Sequence, residues 1–398
     1  MILVEEALKR VTAAFAQLTA EEIPVGEAAG RVLAENAIAR ATQPPLDVSS
    51  MDGYAVRTAD VAGIPATLDV IGEAPAGHPF KGKVSAGQAV RVFTGAAVPD
   101  GADAIVIQEN TERDSNRVTI GVAAEKGKHI RPAGLDFRVG DVLVARGKRL
   151  SARDAMLLAA GDLARVSVAR KPRVAVIATG DELSRPGERR AEGGIVASAN
   201  YGLRALIEKW GGVALDLGIL PDRPEAFAAI SNAAKDCDVV ITIGGASVGE
   251  HDLIQSALKP HGFVTDFWKI AMRPGKPLIF GRLNKTPLIG LPGNPVSAVV
   301  CAVLFVRPAI DAMLGATAVQ TMVRAKLVGP LPANGDRQDY IRARLIWCAG
   351  LAHAEPLPTQ DSSMQRALAD AGCLIVRAPQ SHPAPAGAEV DVIPLEDC

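Results

Sequence analysis

Apolar positions fall into three regimes along this chain. In the opening MILVEEALKRVTAAFAQL, Leu3, Ala7, Leu8, Val11 and Leu18 recur at helical spacing, which predicts an amphipathic helix. After Ile23-Pro24-Val25, a second helical stretch is expected over Glu27 to Glu35. From Thr42-Gln43-Pro44-Pro45 to about Val144 the pattern changes to short alternations such as Ala89-Val90-Arg91-Val92-Phe93, among many Gly, Val and Pro residues. That predicts an all-β module with long loops. Helix returns at Ser151 to Ala160, with Ser151 as a cap.

Arg173 opens the second regime. Val174-Ala175-Val176-Ile177, Val213 to Leu220 and Val239-Val240-Ile241-Thr242-Ile243 alternate with helical Tyr201 to Lys209 and Glu225 to Lys235. Strands apolar on both faces, separated by helices, predict a parallel sheet with βαβ crossovers. Right-handed crossovers then put the strand carboxyl ends, and any ligand site, along one edge. Pro287-Leu288-Ile289-Gly290-Leu291 is a further strand, and Val296 to Leu314 a long apolar helix interrupted only by Arg307-Pro308. Past Gly315, short strands and proline-rich turns predict a small carboxyl-terminal β domain.

Composition narrows the class. With 398 residues, 48% hydrophobic and 22% charged, the chain is a well-packed globular protein of about two to four domains. A net charge of −1 from 43 basic and 44 acidic residues argues against non-specific nucleic-acid binding. The five cysteines (Cys237, Cys301, Cys348, Cys373, Cys398) contain no Cys-x-x-Cys pair, so reduced thiols are expected. The start lacks a basic n-region, and the longest strongly apolar run, Val296 to Val306, is short for a bilayer. A cytoplasmic protein that meets neither membrane nor nucleic acid is therefore expected.

Candidate chemistry gathers at the strand ends. Leu291-Pro292-Gly293-Asn294-Pro295-Val296-Ser297-Ala298 joins a strand to a helix, with Asn294 suited to the N-cap and Pro295 to the first helical position. Free first-turn amides and the helix dipole would favour an anion there; an ordinary capped turn is the competing reading. The run Gly244-Gly245-Ala246-Ser247-Val248-Gly249 offers successive amides and a hydroxyl, a cradle for a phosphate or a pterin-like amide. Glu182, Asp222 and Asp252 follow three neighbouring strands and together form a hard oxygen set of the kind Mg²⁺ takes beside a phosphate. Singly, each would be a loop charge or a helix cap. Lys269, Arg273, Gly275 and Lys276 lie in a segment stiffened by Pro274 and Pro277, with Arg273 suited to an oxyanion. His251 reads as structural. In the β module, Asp52 and Asp136 are turn residues on residue type alone.

In order along nearly the whole chain, SSMDGYAV (49–56), FTGAAVPDGADAIVIQE (93–109), RPAGLDFRVGD (131–141), ATGDEL (178–183), GGASVGEHD (244–252), FWKIAMRPGKP (267–277), LPGNPVSA (291–298) and RQDYIRARL (337–345) resemble the MoeA family of molybdopterin molybdenumtransferases, related to the gephyrin E domain. The resemblance implies a multidomain α/β plus β architecture. An elongated N-terminal region (1–171) carries an inserted β domain (about 43–144). A Rossmann-like α/β molybdopterin-binding domain (172–318) and a small β domain (319–398) follow. It implies a homodimer whose active site joins the α/β domain of one subunit to the β module of the other. The implied substrates are adenylylated molybdopterin and molybdate, with Mg²⁺ assisting loss of AMP. A molybdopterin adenylyltransferase and acceptor molybdoenzymes are the implied partners.

Carried across, Glu182, Asp222 and Asp252 match acidic positions tied to cofactor or metal handling. Asp52, Thr94 and Asp136 match functional positions of the inserted domain, and Lys269 a cationic position of the α/β site. Arg342 and Ser362 match residues associated with molybdate. Pro292, Gly293, Asn294 and Ser297 would wall the phosphate site with Gly244, Gly245, Ser247 and Gly249. Arg273 stands where a lysine is usual, Leu135 where an acid is usual and Ala246 where a valine is usual. Gln360-Asp361-Ser362-Ser363 departs from a Gln-Gly-Ser-Gly-like loop. Two other readings share the α/β fold. A molybdopterin adenylyltransferase is disfavoured by the Met1 to Lys171 region and its MDGYA motif. A non-catalytic scaffold is disfavoured by the filled set of charged site residues.

Overall fold

The computed structural model describes residues 1–245, 253–317 and 322–395. Its centre is a six-stranded sheet in the order Val213–Leu220, Arg173–Thr179, Val239–Ile243, Thr286–Leu291, Ile279–Leu283, Phe263–Trp268. The first four strands run parallel, as the apolar runs predict. Ile279–Leu283 is antiparallel to both of its neighbours, so the sheet is mixed rather than wholly parallel. Because two reversals cancel, Phe263–Trp268 again ends at the same edge as Thr179, Leu220, Ile243 and Leu291.

The helices cover this sheet with less regularity than the pattern suggests. Helix Ala199–Lys209 forms as expected, burying Leu203, Leu206 and Ile207. The stretch expected as one helix over Glu225 to Lys235 is split into Pro224–Phe227, Ala228–Ala233 and Ala234–Asp236, the outer two 3₁₀. Ser231 and Asn232 are weak helix formers in this stretch, and Asn232 Oδ1 accepts from Lys235 Nζ at 3.1 Å. The long apolar helix is continuous in direction but changes its winding: Pro295–Cys301 is α, Ala302–Val306 a π turn and Arg307–Leu314 α again. Pro308 has no N–H, and its ring would strike the carbonyl four residues back; the wider turn makes room for it. This 20-residue helical run is long and apolar enough to cross a membrane, contrary to the short run read from the pattern, yet 72% of its most apolar window is buried inside the protein. It is the core helix.

Helix Val4–Ala13 packs Val4, Ala7 and Val11 into that same core. The chain then runs outward and back as paired arms, Ala20–Pro24 with Arg165–Ala169, Ala37–Ile38 with Val142–Val144, and Val48–Ser49 with Ile130–Arg131, all antiparallel. The helix expected over Glu27 to Glu35 does not form. Gly30 adopts φ +82°, and the N–H groups of Gly30, Leu33 and Ala34 go to the carbonyls of Leu150, Lys148 and Ser167 instead. Tertiary pairing outcompetes local propensity there. At the far end of the arms a six-stranded mixed sheet spans residues 53–120. At the carboxyl end, Val323–Leu327, Gln338–Cys348, Leu351–Pro356, Cys373–Arg377 and Glu389–Pro394 pair into a closed ring, a five-stranded barrel. Met272–Arg273 of the central domain adds to it beside Gln338 and Asp339.

Helix Ala152–Ala160 begins with a reciprocal capping box. The Ser151 hydroxyl accepts from the Asp154 N–H, and the Asp154 carboxylate accepts from the Ser151 N–H. Burial works to raise the Asp154 pKa, but Lys148 Nζ at 2.6 Å and the two Ser151 donors outweigh it and bring it to about 2. A lowered folded value means stability that is complete above 3.8 and lost as the pH falls through about 2. Asp154→Asn is therefore expected to cost about 1–2 kcal/mol at pH 7, reduced by the solvent around half-exposed Lys148. Urea unfolding of both proteins from neutral to strongly acid pH checks this: the gap must close on acidification.

Candidate active site

The carboxyl edge of the central sheet opens into a cavity of about 820 Å³. Its floor is glycine for steric reasons. Gly244 and Gly245 take φ +90° and +67°; a Cβ on the first would lie 2.6 Å from the Thr179 carbonyl oxygen, and on the second 2.7 Å from Ile254. A Cβ on Gly293 would come 3.5 Å from the Gly244 Cα, so the two glycine turns touch. Pro292, Gly293, Asn294, Gly244 and Gly245 all line this cavity, as the motifs suggest. Ser247, Gly249 and Asp252 lie outside the described residues.

The acidic wall is a cluster. Glu182 and Asp222 both line the cavity. The Asp222 N–H donates to Asp181 Oδ1 at 3.2 Å, while Asp222 Oδ1 is buried without a hydrogen-bond partner. Burial, then the charges of Asp181 and Glu182, push the Asp222 carboxyl above the usual carboxylate range. An orphaned buried oxygen among like charges suits a hard divalent cation. Among the described residues no three His, Cys, Asp or Glu side chains are gathered closely enough to hold a metal by themselves.

The helix start at Asn294 differs from the expected anion cradle. Asn294 occupies the N-cap position without capping; its Nδ2 donates to Ser362 Oγ at 2.8 Å. Pro295 has no N–H, and the Val296 N–H donates to the Ser362 carbonyl at 3.3 Å. A loop of the barrel thus closes over the first turn, and Ser363 and Gln365 from that side line the cavity. Ser297 is buried in the helix and does not line it.

The cationic segment stands beside this cavity rather than in it. Strand Phe263–Trp268 is two strands from Thr286–Leu291, about 10 Å across the sheet. Lys269 takes φ +79° and rests its Nζ 3.7 Å from the Trp268 ring centroid. Arg273 pairs with buried Asp339 at 2.8 Å, tying the α/β domain to the barrel. Gly275 packs against Cys301 and Met272, and the Lys276 carbonyl accepts from the Ile270 N–H. Of this group only the following residue, Pro277, lines the cavity. Arg342 is fully buried, with Nη2 donating to the Asp361 and Thr359 carbonyls at 3.1 and 3.4 Å.

In the inserted domain, Asp52 Oδ1 accepts from the Thr94 N–H at 2.7 Å and from its hydroxyl at 2.9 Å, bonds that lower the Asp52 pKa. Asp136 and Leu135 line a separate cavity of about 490 Å³ with Gly95 and Arg131. Among the described residues none lines both cavities, so Asp136 and Leu135 stand apart from Glu182 and Asp222 in this chain.

The structure adds Arg190, Ser198 and Asn200 to the lining of the cavity, and Asp181 as the acceptor that holds Asp222. Asp181 was visible in ATGDEL beside Glu182. Ser198 and Asn200 line the cavity with buried oxygens that lack partners, and no spacing signals that.

Three family models match in order: the MoeA N-terminal region (domain I and II) over residues 2–161, a probable molybdopterin binding domain over 175–312, and the MoeA C-terminal region (domain IV) over 324–395. A molybdopterin molybdenumtransferase of Haemophilus influenzae is 36% identical over 94% of this chain and 94% of that protein. One of Staphylococcus aureus is 32% identical over 99% of this chain and 95% of its own length. The crystal structure of a molybdopterin biosynthesis MoeA protein from Pyrococcus horikoshii OT3 superposes with a TM-score of 0.86 at 30% identity, covering 98% of this chain and 99% of that one. With its three regions matched in sequence and its architecture matched end to end, this chain belongs to the MoeA family.

Proposed function

We propose that this chain is a molybdopterin molybdenumtransferase of molybdenum cofactor biosynthesis, inserting molybdenum from molybdate into adenylylated molybdopterin with release of AMP. The observation that carries the reading is the juxtaposition of the Gly244-Gly245 and Pro292-Gly293 turns with the Glu182 and Asp222 carboxylates in one cavity, Asp222 being held by Asp181 beside it. Glycine turns admit a phosphate to close backbone range, and the carboxylates suit the cation such a phosphate carries.

Glu182 and Asp222, with Asp252, would hold Mg²⁺, which when bound neutralises charge at the adenylate phosphate. Gly244, Gly245 and Gly293 keep the floor open to the ligand. Asp52, fixed by Thr94, and Asp136 would complete the site from a second subunit in a homodimer. We place the enzyme in the cytoplasm, between a molybdopterin adenylyltransferase that supplies its substrate and the molybdoenzymes that accept its product.

The deciding assay mixes purified protein with adenylylated molybdopterin, Mg²⁺ and either molybdate or tungstate. AMP release coupled to active cofactor is expected with molybdate. No AMP release overturns the reading. ATP-dependent adenylylation of molybdopterin would assign the sister activity instead.

A further inference from the structure

The barrel loop at residues 359–363 covers a cation that has nothing else to bind. Arg342 has no exposed surface, and its Nε and Nη1 are buried without partners. Its Nη2 is taken by the carbonyls of Thr359 and Asp361. Nη2 belongs to both forked edges of the guanidinium, so while the loop holds it neither edge can offer two donors to a tetrahedral oxyanion. The loop is fastened on both sides. Gln360 exchanges hydrogen bonds with the Arg342 backbone at 2.9 Å each, and Ser362 bonds Asn294 and the Val296 N–H.

Asp361 also brings a charge. Its carboxylate is held in a turn by the Ser363 N–H at 2.8 Å and hydroxyl at 2.6 Å, and it interacts electrostatically with Arg342. We infer that Asp361 is an affinity determinant for the oxyanion substrate: the 359–363 loop acts as a built-in occupant of Arg342, and the Asp361 carboxylate is a counter-charge against which molybdate competes. The inference rests on the proposed function, with molybdate seated at Arg342 as the family resemblance implies. The loop must shift to free Nη2, and a dianion arriving there meets the fixed negative charge of Asp361.

Asp361→Asn keeps an acceptor for the Ser363 N–H and removes the charge. Molybdate is titrated calorimetrically into the parent, Asp361→Asn and Arg342→Lys proteins, at about 0.02 M and about 0.3 M potassium chloride. Asp361→Asn is expected to bind about fivefold more tightly at low salt, with the gain shrinking at high salt. Arg342→Lys is expected to lose binding at either salt. If Arg342→Lys binds like the parent, the seat itself is wrong. Loss in Arg342→Lys with no gain in Asp361→Asn leaves the seat standing and overturns the counter-charge. Binding to none of the three overturns both. Thermal melts of each variant confirm that the fold is kept.

Discussion

Asp222→Asn is expected to lower AMP release by about 10²–10³-fold while leaving the protein at least as stable as its parent. The two effects share one cause. Asp222 is held above the ordinary carboxylate range by burial and by the charges of Asp181 and Glu182. A raised folded value means that the ionised group opposes folding at neutral pH and that this opposition fades as acid protonates it. Neutralising the residue removes the repulsion and, with it, the negative charge on which the proposed cation would draw. Turnover, Mn²⁺ binding by electron paramagnetic resonance and urea unfolding at two pH values test the pair. A variant that keeps full turnover removes Asp222 from the chemistry. A variant that is inactive and unfolded refutes the stability half.

The second large effect is structural. Gly275→Val is expected to destabilise the protein by about 3 kcal/mol or more. Gly275 sits at φ +109°, and a Cβ there would come 2.5 Å from Cys301 Sγ and 2.9 Å from Met272 Cε. Both neighbours are fully buried, one in the core helix and the other on the strand that joins the barrel, so neither can retreat freely. Strain in the backbone and overpacking in the core add. Denaturant unfolding checks the figure; a loss below about 1 kcal/mol would mean that the 274–277 segment yields without disturbing the core helix.

Much of this fold was legible because its signals are local. The runs 174–177, 213–220 and 239–243 are apolar on both faces and interleaved with helices, and that pattern has few other solutions. Ser151 announces the cap of the helix that follows it, though not the reciprocal bond from Asp154. The misreadings share an opposite character. Residues 27–35 carry a helical pattern, but strand-like partners at Lys148, Leu150 and Ser167 decide their backbone, and those are more than a hundred positions away. The reversal at Ile279–Leu283 depends on a tight turn at Asn284-Lys285, not on the strand's composition. For the site, the glycine turns could be read because φ and close approach restrict residue type. The Asp52–Thr94 pairing could not, since 42 residues separate its members. Nor could the withdrawal of Lys269 from the cavity, which follows from strand order alone.

The π turn at Ala302–Val306 gives the core helix one place where residue count is not fixed. A π turn holds one residue more than the α winding it interrupts. Deleting one residue there would restore regular winding and leave the flanking faces in phase, because the shorter α turn covers the same rotation. The α segment before it has no such slack: a residue lost between 296 and 301 would turn everything beyond it by about 100°. Ala309, Ile310 and Met313, now packed inside, would swing away from the sheet, and Arg307 and Asp311 would rotate with them. Most single substitutions along this helix change one contact, whereas a single codon lost between 296 and 301 reassigns a whole face. Natural length variation in this protein should therefore concentrate in the outer arms and the barrel loops, and within the core helix be confined to 302–306.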